Sequence, residues 1–91
     1  MPFEWDAEKS RRNQQKHEVS FIEAATVFAD PLAVTYADPL HSSSEDRYLT
    51  FGLSMTGAAV VVAHTSRGDT IRIISARRIT SRERRHYEQQ P

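Results

Sequence analysis

The spacing of apolar and polar residues divides the chain into a helical first part and a strand-rich second part. The alternating segment Phe3-Glu4-Trp5 predicts a short edge strand. Asp6 is a favourable N-cap, and residues 7–17 predict a helix that has almost no apolar face. Such a helix cannot be held by hydrophobic burial, so we expect Trp5, side-chain stems or polar contacts to dock it onto the rest of the domain.

A second helix is predicted from Ser20 to about Phe28. Ser20 and Glu23 fit a capping box, in which the serine accepts from a free amide and the glutamate reaches back to the cap. Asp30-Pro31 ends this helix because the residue before a proline disfavours helical geometry. Its predicted buried face consists of Phe21, Ala24, Ala25 and Phe28.

From Leu32 onward the apolar period changes to two, which is typical of strands. The predicted strands cover residues 32–36, 49–54, 58–65 and 70–77. Tight turns are predicted at residues 55–57 and 66–69. A second capping box, Thr80-Ser81-Arg82-Glu83, predicts a terminal helix ending near Tyr87 or Glu88. Helices followed by consecutive strands favour an α+β fold, and the 91 residues fit one domain, residues 1–91.

The charge is unevenly distributed although the net charge is zero. Residues 1–66 hold nine carboxylates against five Lys or Arg, whereas residues 67–91 hold three carboxylates against seven arginines. The chain has no cysteine, which excludes disulfides and thiolate zinc sites. The longest apolar run, residues 58–63, is too short to span a bilayer, and no secretory signal is visible. We therefore expect a cytoplasmic protein whose basic C-terminal third faces a polyanion.

Arginines interrupt the predicted strand at residues 70–77, which is unusual for a strand that only fills a core. The guanidinium group is planar and always charged, so it suits phosphate. Strict alternation would place Arg72 and Arg77 on opposite faces, unless a bulge near Ile74-Ser75 changes the direction of one of them. The alternative is that these arginines pair with carboxylates of the same chain.

The residues that carry a family resemblance extend through nearly the whole chain. They include Phe3-Glu4-Trp5-Asp6, Lys9, Asn13, Lys16-His17, Val19-Ser20-Phe21, Asp30-Pro31, Gly52, Gly57, Val60-Val61-Val62, His64-Thr65, Arg67-Gly68-Asp69, Arg72 to Arg77, Glu83, Arg84 and Tyr87. In these residues the chain resembles the BrnT family of toxins from bacterial type II toxin–antitoxin pairs. The resemblance implies a ribonuclease with a RelE-like α+β fold. It also implies a BrnA-type antitoxin with a DNA-binding module, in a hetero-oligomeric complex that represses its own promoter.

The chain departs from the family pattern at two positions. Glu18 stands where the family usually has glycine after the Lys-His pair, so we expect a different local turn there. Ala58 stands where many relatives carry Arg or Lys, which removes one possible phosphate contact.

Cleavage of RNA without a metal needs a base, an acid and cations that stabilise the charged phosphorane. The predicted catalytic residues are His64, Arg67 and Arg77; the alternative for His64 is a structural strand histidine. No histidine pair at i, i+4 and no acidic cluster is present in the sequence, so neither a metal nor another cofactor is predicted.

Further side chains are predicted to bind RNA. Lys9, Asn13 and Lys16 form one stripe on the first helix, although His17 next to them could merely complement the helix dipole. The predicted RNA-binding residues are Lys9, Lys16, His17, Arg72, Arg82, Arg84 and Tyr87. The predicted function is thus a metal-independent endoribonuclease toxin neutralised by its antitoxin. The alternative is a catalytically inactive RNA-binding or antitoxin-binding module of the same fold.

Overall fold

The computed structural model describes residues 2–41 and 46–88, apart from the side chains of residues 41 and 86–88. It contains an α+β fold with one five-stranded sheet and three α-helices. The elements are β1 Phe3–Glu4, α1 Ala7–His17, α2 Phe21–Thr26, β2 Val34–Ala37, β3 Tyr48–Leu53, β4 Ala59–Arg67, β5 Thr70–Arg78 and α3 Ser81–Glu88. Two 3₁₀ helices cover Val27–Ala29 and Pro39–His41. The predicted α+β class and the order of its elements are confirmed.

The sheet has the strand order β1-β5-β4-β3-β2. Strands β2 to β5 form the predicted antiparallel meander. β1 lies at the sheet edge, as expected, and pairs in parallel with β5 through Phe3–Ile71 and Glu4–Arg72. This pairing places the N-terminal strand beside the last strand of the sheet. β1 covers the edge of β5 only as far as Arg72, so another element must cover the rest of that edge.

The hydrophobic core lies on the sheet face that packs against α2 and the 3₁₀ helix after it; we call this the core face. Its buried residues are Val19, Phe21, Ala24, Val27, Val60, Val62, Ile73 and Ala76. Two residues of the face predicted for α2 are fully buried, and Ala25 and Phe28 are partly buried. The prediction that Leu32 begins a strand is wrong: Leu32 is 77% exposed, and β2 begins at Val34.

A bulge interrupts β5 at Ile74. Ala63 on β4 lies opposite Ser75, whereas the next residue, His64, lies opposite Ile73, so Ile74 has no opposing partner. The extra residue shifts the alternation and places Arg72, Ser75 and Arg77 on the same side of the sheet. We call this side, opposite the core face, the outer face. The bulge that was considered near Ile74-Ser75 therefore forms. Strict alternation, which would have placed Arg72 and Arg77 on opposite faces, does not occur.

The caps of the first two helices follow local sequence chemistry in part. The Asp6 side chain accepts a hydrogen bond from the Lys9 N–H at 3.0 Å, as predicted. Ser20 likewise caps α2 by accepting from the Glu23 N–H at 3.0 Å. The other predicted hydrogen bond of that capping box, from the cap to the Glu23 carboxylate, is wrong. This carboxylate instead accepts from the hydroxyls of Ser54 and Thr56 at 2.6 and 2.8 Å. The hydrogen bond from Ser54 lowers the pKa of Glu23 below its usual range.

Glu18 ends α1 in the left-handed conformation, with φ 60° and ψ 28°. Its N–H donates to the Gln14 carbonyl at 2.9 Å, which closes the last turn. The expectation of a different local turn is therefore wrong. Glu18 adopts the backbone conformation that suits glycine, although its Cβ makes that conformation unfavourable.

Candidate functional site

The polar helix α1 is fixed to β5 by the side chain of Asn13. The Asn13 Nδ2 donates to the carbonyls of Val19 and Ala76 at 2.7 and 2.8 Å. The Ala76 N–H donates back to Asn13 Oδ1 at 3.2 Å. Because β1 ends before this point, the amide side chain takes the place of a neighbouring strand at the β5 edge. The prediction that polar contacts dock α1 is confirmed, but Asn13 is only 8% exposed and does not belong to a solvent-facing stripe.

A groove of about 240 Å³ runs between α1 and the bulge of β5. We call it the α1–β5 groove. Lys9, Arg12 and Lys16 border it and are exposed, and His17 is half-buried there. Its remaining lining residues are Asn13, Ile74 and Ser75. The structure thus brings together Lys9, Lys16 and His17 of the predicted RNA-binding set, in a concave site suited to an anion.

Arg12 is a groove residue that the sequence-based prediction missed. It lies three positions after Lys9 and four before Lys16, so helical spacing would have placed it beside both. Its Nε is 3.4 Å from a carboxylate oxygen of Glu8, which also pairs with Arg11. Both contacts are on the solvent-exposed surface, where ion pairs are weak.

Arg77 forms a bidentate ion pair with Glu83 at the end of β5. The two guanidinium nitrogens lie 2.7 and 2.9 Å from the two carboxylate oxygens. Glu83 also completes the capping box of α3: the Thr80 N–H donates to its carboxylate at 3.0 Å, and its own N–H donates to the Thr80 hydroxyl at 3.1 Å. The hydrogen bonds from Arg77 lower the pKa of Glu83 to about 2. The second capping box is therefore confirmed.

The alternative in which strand arginines pair with the chain's own carboxylates is confirmed for two residues. Arg77 pairs with Glu83, and Arg72 lies 3.7 Å from Glu4 across the β1–β5 pairing. These pairs remain partly open to solvent, because the side chains of Arg77 and Arg72 are 43% and 27% exposed.

Residues 5–83 match the family model described as BrnT, ribonuclease toxin of a type II toxin–antitoxin system. The chain belongs to this family. The matched range contains α1, β2 to β5 and Glu83, so the groove and the Arg77–Glu83 pair both lie within it. No individually curated protein matches the sequence. Membership identifies the chain as a ribonuclease toxin and implies an antitoxin protein as its partner.

His64 of this toxin lies on the core face and is 6% exposed. Its Nε2 is 2.7 Å from the Thr50 hydroxyl, and its ring contacts the rings of Phe28 and Tyr48 at centroid distances of 4.9 and 5.9 Å. Its Nδ1 has no hydrogen-bond partner among the described residues. Burial lowers the pKa of His64 to about 4, so the ring is neutral near pH 7.

The structure does not bring the three predicted catalytic residues together. His64 points into the core, whereas Arg77 lies on the outer face, because β4 and β5 alternate their side chains between the two faces. Arg67 is exposed at the end of β4, beside the turn that leads to the opposite end of β5 from Arg77. The structure therefore does not gather His64, Arg67 and Arg77 into one site.

The remaining predicted residues lie on α3 or outside the described atoms. Arg82 and Arg84 are exposed on α3, and the side chain of Tyr87 lies outside the described residues. Within residues 2–41 and 46–88, no three His, Asp or Glu side chains are grouped so that they could hold a metal ion. None of the helices in this part of the chain is long and apolar enough to cross a membrane.

Proposed function

We propose that this BrnT-family protein is a metal-independent endoribonuclease that binds the RNA backbone in the α1–β5 groove. The observation that carries the proposal is the groove itself, where three exposed cationic side chains border a half-buried histidine. We also propose that residues 1–91 form one toxin domain of RelE-like fold, acting in the cytoplasm. Its growth inhibition would last until an antitoxin of the BrnA type binds, and the pair would repress its own promoter.

Lys9, Arg12 and Lys16 are suited to hold phosphates, because cations supply most of the sequence-independent affinity for nucleic acids. Ser75, which lines the groove, lies on the outer face, as do Arg72 and Arg77 of the same strand. Arg82, Arg84 and Tyr87 on α3 are proposed as additional contacts to the RNA backbone or a base.

The chemistry would start with removal of the proton from a 2′-hydroxyl, whose oxygen then attacks the adjacent phosphorus. The 5′-oxygen leaves with a proton, and the other fragment keeps a 2′,3′-cyclic phosphate. His17 borders the groove, and we propose that its imidazole takes part in these proton transfers. Lysine and arginine groups would stabilise the additional negative charge on the phosphorane. We assign His64 a structural role instead, because its ring is buried on the core face and does not line this groove.

A second candidate function is an RNA-binding or antitoxin-binding module without catalysis. The observation that favours it is the state of Arg77, whose guanidinium is already paired with Glu83. In that case the groove would bind RNA with a strong dependence on salt and would leave the strand intact.

The deciding experiment is to incubate the purified chain with a defined RNA in excess EDTA and to analyse the fragment ends. Fragments with 2′,3′-cyclic phosphates are expected from wild type and not from a Lys9→Ala/Lys16→Ala double variant. The matched control is Gln14→Ala/Gln15→Ala, since both glutamines are exposed on the same helix. Equal cleavage by the lysine variant and wild type would exclude the groove. RNA that stays intact, with and without ribosomes, while binding persists would favour the second candidate.

A further inference from the structure

We propose that the Glu83 carboxylate occupies a phosphate-binding site formed by Arg77, and that an RNA phosphate replaces it when the substrate binds. This inference rests on the proposed function and extends the RNA path beyond the α1–β5 groove. In this proposal, α3 holds the Glu83 carboxylate at the end of β5 until RNA binds.

The geometry of the pair is that of an anion site. Arg77 presents two nitrogens to two oxygens of one carboxylate, at 2.7 and 2.9 Å. Two oxygens of a phosphate diester match the same planar fork, which is why arginine binds carboxylates and phosphates in the same bidentate manner.

The pair is accessible enough to exchange its anion. The Arg77 side chain is 43% exposed and that of Glu83 is 29% exposed, so water and solutes reach both groups. A partly exposed ion pair contributes less net stability than a buried one, because solvent screens it and solvates each partner when they are apart. The Thr80 hydroxyl still accepts a hydrogen bond from the Glu83 N–H, which can keep α3 capped after the carboxylate leaves.

The surroundings favour a phosphate over the carboxylate of another protein. Residues 77–85 contain five arginines and one carboxylate, Glu83. Such a density of fixed positive charge suits a polyanion that presents several phosphates in succession. Arg77 also lies on the same face as Ser75, two residues further along β5, which corresponds to about 7 Å of strand. RNA that occupies the groove would therefore continue directly onto Arg77.

The test is the affinity of a fluorescent single-stranded RNA for Glu83→Gln, measured by anisotropy over a series of salt concentrations. Glutamine is compatible with a capping box, so the helix start is preserved while the charge is removed. We expect about threefold to tenfold tighter binding at low salt, because the RNA phosphate no longer competes with a carboxylate. The slope of log K against log salt should change little, because the same phosphate contacts Arg77 in wild type and in Glu83→Gln, whereas Arg77→Ala should make the slope shallower by about 0.7, the value for one phosphate of a single strand.

Three controls isolate the site. In an Arg77→Ala background, Glu83→Gln should give no gain, because the guanidinium that it frees is absent. Asp69→Asn removes one carboxylate from the exposed turn at the other end of β5, and should change the affinity less than twofold. Thr80→Ala weakens the cap of α3 but retains the Arg77–Glu83 pair, so it should not reproduce the gain.

Several results would overturn the inference. Unchanged RNA affinity in folded Glu83→Gln would do so, and so would a gain that persists in the Arg77→Ala background. If Glu83→Gln tightened the antitoxin and not RNA, the site would belong to a protein partner. A wild-type chain that binds no RNA would contradict the proposed function itself. RNA binding that depends on Lys9 and Lys16, but not on Glu83, would contradict only the inference.

Discussion

Helices α1 and α3 are both strongly polar, yet the structure attaches them in different ways. α1 is fixed by the buried amide of Asn13, which makes three hydrogen bonds to main-chain groups of Val19 and Ala76. α3 is tied to β5 by an ion pair between Arg77 and Glu83 that remains partly open to solvent. Both contacts have good geometry, so burial is the property that separates them.

The difference in burial implies different functions for the two attachments. Main-chain groups at the edge of a sheet need a partner, and an unsatisfied buried group destabilises the fold strongly. Asn13 therefore provides a permanent support, which holds the basic side chains of α1 against the bulge of β5. A partly exposed ion pair has water as an alternative partner for both charges, so another anion can replace its carboxylate. The five predictions below test this contrast.

The largest effect is expected from Asn13→Ala. The substitution leaves two carbonyls and one N–H without their partner, so we expect a loss of about 3 kcal/mol or more in the free energy of unfolding. Urea denaturation measures this loss. Gln15→Ala, at an exposed position of the same helix, should change stability by less than about 0.5 kcal/mol. A similar small effect for Asn13→Ala would mean that the amide does not anchor α1.

Acid is expected to affect the buried His64 and the partly exposed Arg77–Glu83 pair in separate pH ranges. Burial lowers the pKa of His64 to about 4, so the unfolded chain binds a proton there more readily than the folded chain does below pH 6.5. Stability should fall by up to about 3 kcal/mol between pH 6.5 and pH 4, and it should be insensitive to this group at higher pH. Urea denaturation at several pH values measures the slope, which His64→Leu should flatten.

The Arg77–Glu83 pair should respond at lower pH. The pKa of Glu83 is lowered to about 2, so the contribution of this carboxylate is complete above about pH 4.5 and is lost as the pH falls towards 2. Far-UV circular dichroism of wild type and Glu83→Gln, compared over that range, reports the loss. Identical curves over pH 4.5 to 2 would show that the ion pair does not stabilise α3.

A small effect on global stability is expected from Arg77→Ala. Solvent screens the pair, so the free energy of unfolding should fall by no more than about 1 kcal/mol. Arg85→Ala, an exposed residue of α3, is the control and should be neutral within about 0.5 kcal/mol. A loss as large as that expected for Asn13→Ala would contradict the contrast between the helices, because it would make the ion pair a structural anchor.

The smallest effect, and a stabilising one, is expected from Glu18→Gly at the end of α1. Glycine adopts the left-handed conformation at φ 60° without the steric penalty of a Cβ. Subtracting the entropy of glycine from that penalty leaves a gain of about 0.5–1 kcal/mol. Glu18→Ala retains the Cβ and should show no gain. If both variants have the same stability in urea denaturation, the conformation at this position is not strained.

Much of the fold could be predicted because its signals are local. Asp6 and Thr80 cap their helices with side-chain hydrogen bonds to residues three positions away, and such contacts depend on the neighbouring sequence alone. The period of two likewise predicted strands β3 to β5 and their turns closely. The prediction failed at Glu23, whose carboxylate contacts Ser54 rather than its own cap, because the contact joins residues distant in sequence.

The candidate site was predicted less well than the fold. Lys9, Lys16 and His17 lie beside one groove because one helix presents them together. His64 was chosen from its position in the sequence, but its environment depends on which face of β4 it occupies. The role of Asn13 could not be predicted either, since its partner Ala76 lies 63 residues away.

The sequence by itself determined the helices, the strands, their order and the basic character of the last third of the chain. Those properties arise from caps, periodicity and composition, which act over a few residues or require no geometry at all. The tertiary structure alone decided the bulge at Ile74, the shared face of Arg72 and Arg77, and the pairing of Arg77 with Glu83. Each of these depends on strand register and on contacts between segments, and one inserted residue in a strand is enough to change the face of every side chain beyond it.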